Sequence, residues 1–213
     1  MAFVKKSVVI LLLTATAVCV CAQQAQTVFN WAFVKRGVDS SPVPIDFKER
    51  VNIVPGDLFK IYVEPLRGAL VYLFLHDAQG DLQRLFPDSF DLFNTGIYEG
   101  TRHFVPEGDN WFTLDSANGT ERFYLIVSSE RLRPLESLVA TYDKASVSAK
   151  GPARQAVLDE IARLRREHSQ LTIAAEKPVT IAGGTRGINT AIQKLATRIE
   201  AQGFYYKLFR LEH

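Results

Sequence analysis

From Thr27 to about Ser129, short apolar runs rich in β-branched and aromatic residues alternate with turn signals. Runs of this kind predict strands. They fall at Val28–Lys35, Leu58–Glu64, Leu70–His76, Asp81–Phe86, Arg102–Val105, Trp111–Leu114 and Arg122–Val127. Leu70–His76 is nearly continuous in apolar residues, the pattern of a central strand covered on both faces. Asp77-Ala78-Gln79-Gly80 predicts a hairpin turn, and Asn118-Gly119 predicts a second. No helical stretch separates these runs, so an antiparallel sandwich or barrel is expected rather than a parallel sheet.

After Ser129 the period changes. Pro134–Lys144 predicts a short helix with Leu135, Leu138, Val139 and Tyr142 on one stripe. Gly151-Pro152 opens a longer helix to about His168, with Val157, Ile161 and Leu164 as its apolar face and Asp159–Arg163 as a favourable pair. A third helical stripe joins Ile188, Ile192, Leu195 and Ile199 and stops at Gly203. Phe204–Leu211 alternates like a last strand. The expected fold is mainly β, α+β overall: an antiparallel β-sandwich with a C-terminal helical segment and a final strand returning to the sheet.

The N-terminus carries a different pattern. Lys5-Lys6 precede an uncharged run from Ser7 to Val20, and Val20-Cys21-Ala22 places small residues before Gln23-Gln24. This is a secretory leader, with an apolar core short for a membrane span. Cleavage is expected after Ala22, giving a periplasmic or secreted protein with no stable span. Cys19 and Cys21 follow valines rather than the small residues that precede a lipidated cysteine. The expected division is residues 1–22 as signal peptide, 23–145 as the β-sandwich, and 146–213 as a helical extension with a terminal strand packed on the same domain.

Removing the leader changes two inferences. The 25 Lys+Arg exceed the 23 Asp+Glu by two, and the leader's two lysines account for that excess. The remaining chain is neutral, so a nucleic-acid footprint is not expected. Both cysteines lie in the leader, so thiol catalysis, zinc-thiolate sites and disulfides are not expected beyond it.

Pro55-Gly56-Asp57, Val71-Tyr72-Leu73-Phe74, Asp77-Ala78-Gln79-Gly80, Leu85-Phe86-Pro87, Val105-Pro106, Gly119-Thr120-Glu121 and Ile126-Val127-Ser128-Ser129 follow one another in a characteristic order. In that order and spacing, residues from about 55 to 138 resemble the bacterial family known as domain of unknown function 4384. Asp88 stands where the family often has Asn. The resemblance implies an exported bacterial setting, here in single-domain form, and relatives found beside kinase or protease-like modules. It implies no catalytic residue.

Candidate chemistry is sparse. Val179–Ala196 (VTIAGGTRGINTAIQKLA) imitates the strand-turn-helix of a dinucleotide site, but Asn189 replaces the third glycine and only 17 residues follow. A dinucleotide fold needs several more strands downstream. No Gly-Lys-Ser/Thr completes a P-loop. His76, His103, His168 and His213 are isolated, without the spacing of a helical metal pair. Asp77, Gln79 and Asp81 alternate like calcium ligands, yet Asp88 stands where a bidentate Glu belongs. Asp88 and Asp91 are the carboxylate pair considered for acid–base work. Arg163, Arg165 and Arg166 read as a solvated helix face. No catalytic, cofactor or metal residue is expected.

The segment Phe86–Phe112 is the most aromatic in the chain, with turn residues between its rings. Phe90, Phe93, Tyr98 and Trp111 are the expected binding residues, the alternative being that the rings fold back and seal one end of the sandwich. The expected function is a non-catalytic envelope module binding another envelope protein. The alternative is a carbohydrate or peptidoglycan-binding domain, and a carboxylate hydrolase stands third. A flat row of exposed rings favours sugar, whereas a sheet edge beside an apolar patch favours a protein partner.

Overall fold

The computed structural model describes residues 26–47, 51, 53–115, 118–169, 174–179, 191–192 and 195–212. The leader and most of the glycine-rich Val179–Ala196 motif lie outside the described residues. Among the described residues the fold is mainly β, with two antiparallel sheets and two complete α-helices.

Sheet A has seven strands. They are β1 (Gln26–Arg36), β2 (Pro42–Pro44), β3 (Leu58–Arg67), β6 (His103–Val105), β7 (Phe112–Thr113), β9 (Ala175–Pro178) and β10 (Thr197–Gln202). Its main order is β6-β3-β1-β10-β9, with β2 on β1 and β7 on β3. Sheet B has the order β11-β8-β4-β5, from β4 (Leu70–His76), β5 (Leu82–Phe86), β8 (Thr120–Ser128) and β11 (Phe204–Glu212). Helices α1 (Arg133–Asp143) and α2 (Val147–Glu167) complete the set.

The alternation of each strand decides what it buries. Phe29, Trp31 and Phe33 of β1 and Phe59, Ile61 and Val63 of β3 meet Phe123, Leu125 and Val127 of β8 and Phe209 of β11 between the sheets. On the other face of sheet B, Tyr72, Phe74 and Ile126 pack against Leu135, Val139, Val157 and Ile161 of the helices. Strand β4 is therefore covered on both sides, which accounts for its unbroken apolar run. The hairpin after it forms as predicted: Asp77 Oδ1 accepts from Asp81 N at 2.6 Å, and Gly80 takes φ +86°.

Four details depart from the sequence reading. Pro65 does not end β3; it is tolerated because β6 reaches only Val63 and the opposite β1 has a register shift between Val28 and Phe29. Helix α2 begins at Val147, so Gly151 and Pro152 fall inside it. Arg163 pairs with Glu160 at 2.6 Å and with Glu167, whereas Asp159 accepts from Gln155. Finally, Ile199 belongs to no helix. It sits in β10 opposite Phe29 and is fully buried between the sheets, while Ile192 and Ala196 pack on Ala32, Val34 and Tyr62 at the outer face of sheet A. One helical stripe is thus divided between two layers.

The C-terminal strands are integral to both sheets. β10 lies between β1 and β9, and β11 pairs with β8 along its whole length. Only Gly203, at φ +73°, separates them, so the chain steps from one sheet to the other through a single residue in the left-handed region.

Candidate functional site

The aromatic segment is built inward. Ser89 Oγ caps a short 3-10 helix, Phe90–Asn94, by accepting from Asp91 N at 3.2 Å. Phe90 and Phe93 lie 5.9 and 5.0 Å from the Tyr72 ring, under the Arg84 and Arg131 guanidiniums at 4.6 and 5.1 Å. Tyr98 is buried, contacts Phe93 edge-on at 5.2 Å, and its hydroxyl accepts from Val71 N at 2.8 Å. Burial pushes the Tyr98 hydroxyl pKa well up. These three rings converge, but they make no exposed row. Trp111 is elsewhere, at the outer face of sheet A, with the buried Lys60 ammonium 5.4 Å from its ring.

An acid network locks this end of the molecule. Tyr72 Oη donates to Glu136 Oε1 at 2.7 Å and accepts from Leu132 N at 3.0 Å. Arg131 grips both oxygens of Glu136 at 2.6 and 2.5 Å and also reaches Asn94 at 3.0 Å. Burial alone would raise the Glu136 pKa, but the bonds from Arg131 and Tyr72 outweigh it and hold the carboxyl below its ordinary value. The network fastens the 3-10 helix, α1 and sheet B together. That is a structural task.

The two open sides of the sandwich each hold a cleft. On the β5/β6 side, a cleft of about 350 Å³ is lined by residues including Arg84, Asp88, His103 and Glu107. His103 Nε2 is buried without a partner among the described residues. Burial lowers the His103 pKa against the opposing pull of Glu107 and Asp88. Asp91 is not among the residues that line this cleft; its carboxylate accepts from Ser89 Oγ at 3.3 Å. Among the described residues, no group of three His, Cys, Asp or Glu side chains could hold a metal ion.

The opposite side combines a sheet edge with aromatic surface. There a cleft of about 320 Å³ is lined by Trp31, Asp46, Phe47, Glu176, Lys207 and Phe209, with four smaller or less polar neighbours. Trp31 comes from β1, Glu176 from β9, and Lys207 and Phe209 from β11. Glu176 accepts from Lys207 Nζ at 2.9 Å and from Tyr205 Oη at 3.1 Å, a bridge between the edge strands of the two sheets. Burial first, and then the Glu176 charge, push the Tyr205 pKa up. The Lys207 ammonium stands 5.0 Å from the Trp31 ring and 5.6 Å from that of Phe209. Trp31 is only 8% exposed, and its Nε1 has no partner among the described residues.

Strand β11 borders this cleft. Among the described residues it pairs with β8 alone. Ser129 N donates to Gly203 O at 2.8 Å, which sets the phase of the antiparallel ladder. Odd-numbered residues of β11 bond to β8, and Tyr206, Leu208 and Arg210 turn their backbone N–H and C=O groups to the free edge. Sequence reading missed this site because its rings come from positions far apart in the chain. The one signal available was the Phe29-Trp31-Phe33 alternation.

Comparison with known proteins bears on part of the chain. Residues 53–131 match the family model described as Domain of unknown function (DUF4384). That stretch is similar to the family, and the order of its turns and strands indicated the same resemblance. It supplies β3 to β8 and the whole of the His103 cleft. Every named residue of the Trp31 cleft lies outside it. No curated protein and no solved structure gave a significant match.

Proposed function

We propose that this protein is an exported, non-catalytic interaction module of the cell envelope that binds another protein through the free edge of β11. The observation that carries the reading is an edge on a nine-residue strand, unpaired among the described residues, beside a cleft lined by aromatic residues. Exposed edges of this kind accept an added strand through main-chain hydrogen bonds, while neighbouring pockets select side chains. The leader pattern supports the export part of the reading. A saccharide-binding domain is the second reading, because Trp31, Phe47 and Phe209 line a cleft that also carries two carboxylates.

Cross-linking and affinity capture of the tagged protein from its own cell envelope test the reading. One recurrent partner protein is expected, retained by Leu208→Val and lost with Leu208→Pro. The proline removes an edge N–H and spares the β8 ladder. Equal capture by a folded Leu208→Pro variant would remove the edge from the argument. Recovery of wall glycan alone would favour the second reading.

A further inference from the structure

The free edge and the cleft are parts of one surface. Odd-numbered side chains of β11 face the inside of the sandwich, where Phe209 joins the inter-sheet core and Lys207 lines the cleft. A strand added to β11 continues the pleat, so its own inward residue beside Lys207 and Phe209 is directed at the cleft. Resting on the edge-docking reading, we infer that the cleft receives a tyrosine side chain from the docked strand, with Trp31 Nε1 as the hydrogen-bond donor that selects it.

Three observations specify the ligand. The first is the wall: Trp31, Phe47 and Phe209 line the cleft, Trp31 and Phe209 being largely buried and Phe47 half-buried, and Phe47 and Phe209 lie 4.6 Å apart at a tilted angle. Such a lining suits an aromatic ring. Next comes the indole N–H of Trp31, a donor that is buried and unpaired among the described residues. Buried donors in native proteins are almost always bonded, and this one belongs to a residue that lines the cleft. The last is the rim, where the Glu176 carboxylate takes hydrogen bonds from Tyr205 and Lys207. A carboxylate has further lone pairs and accepts the proton of an incoming hydroxyl.

A phenol meets all three requirements. Its ring fills the aromatic wall, its oxygen accepts from Trp31 Nε1, and its O–H donates toward the rim carboxylate. Phenylalanine would satisfy only the first. A carboxylate ligand would meet the Glu176 carboxylate with like charge. The Lys207 side chain lies over the Trp31 ring, so it moves aside as the phenol enters, and Lys207→Ala is expected to admit the phenol more readily.

Two acetylated, amidated pentapeptides, Thr-Val-Tyr-Val-Thr and its Phe counterpart, are the probes. Each is titrated into the ¹⁵N-labelled full chain. The chain has two tryptophans, so Trp31→Phe assigns the Trp31 indole resonance. The Tyr peptide is expected to shift the backbone amides of Tyr206, Leu208 and Arg210 and to move the Trp31 indole signal downfield. It should bind at least about fivefold more tightly than the Phe peptide, as one net hydrogen bond implies, and Trp31→Phe should erase that preference. Edge amides that respond equally to both peptides, with a silent indole, would overturn the tyrosine assignment and leave edge docking standing. No edge response to any strand peptide would overturn both. An indole that responds to an N-acetylglucosamine tetramer and to neither peptide would assign the cleft to saccharide instead.

Discussion

His103 shows how a single side chain reports on its surroundings. It begins β6, with the Phe86 ring 4.7 Å away and that of Tyr98 at 6.1 Å. Burial lowers its pKa below the ordinary 6.5 in the folded state. The unfolded chain therefore binds a proton that the folded one resists, so stability is complete above the unfolded pKa and declines as pH falls through the folded one. His76, also lowered chiefly by burial, acts in the same direction. The urea midpoint is expected to drop between pH 7 and pH 5, and His103→Gln should flatten the drop without abolishing it. An identical pH profile in the variant would remove His103 as a source. The sequence reading took both histidines as isolated, outside the spacing of a metal pair. It could not show that each keeps a buried nitrogen without a partner among the described residues, because that depends on packing from other strands.

Elements whose local pattern and tertiary setting agree were the legible ones. Val71–Phe74 is apolar at every position because sheet B is covered on both faces. Helix α1 was found from one stripe and Pro134. The failures mark where local pattern and tertiary setting part. Ile188, Ile192, Leu195 and Ile199 repeat at helical spacing, yet pairing with β1 holds Ile199 in a strand. Of the four expected binding residues, Phe90, Phe93 and Tyr98 converge while Trp111 lies on sheet A, and nothing local revealed that Arg84, Arg131 and Tyr72 would surround the first three. Gly203 was noted as a helix stop, whereas its positive φ makes the corner between two sheets. Gly203→Ala forces a Cβ into the left-handed region at a cost of about 1–2 kcal/mol. It should lower the urea-derived stability by that amount, with secondary structure kept. A variant as stable as wild type would show that the corner tolerates another conformation.

At the scale of the molecule, the family-matched segment and the folded unit do not coincide. Residues 53–131 provide β4, β5 and β8 of sheet B and β3, β6 and β7 of sheet A. They lack β1, the strand between β3 and β10, and β11, the partner of β8 over nine residues. They also lack α1 and α2, which cover Tyr72, Phe74 and Ile126. In isolation sheet B would lose part of its cover on both faces: Phe123, Leu125 and Val127 would keep β3 but lose the β1 and β11 rings, while Tyr72 and Phe74 would lose the helices. Each of these side chains is at most 1% exposed in the intact fold, and exposing one fully costs about 1.5–3 kcal/mol. Partial exposure at five such positions is a large share of the stability of a typical domain, about 5–15 kcal/mol. A fragment of residues 53–131 is therefore expected to give a collapsed amide spectrum and no cooperative urea transition. Co-expression with the flanking pieces, residues 26–52 and 132–213, is expected to restore dispersion as β1 and β11 return to their places. A fragment that unfolds cooperatively alone would mean that the family segment is a self-sufficient core and the flanking strands an addition. The β11 edge and Trp31 cleft would then be an attachment to that core rather than part of one folding unit.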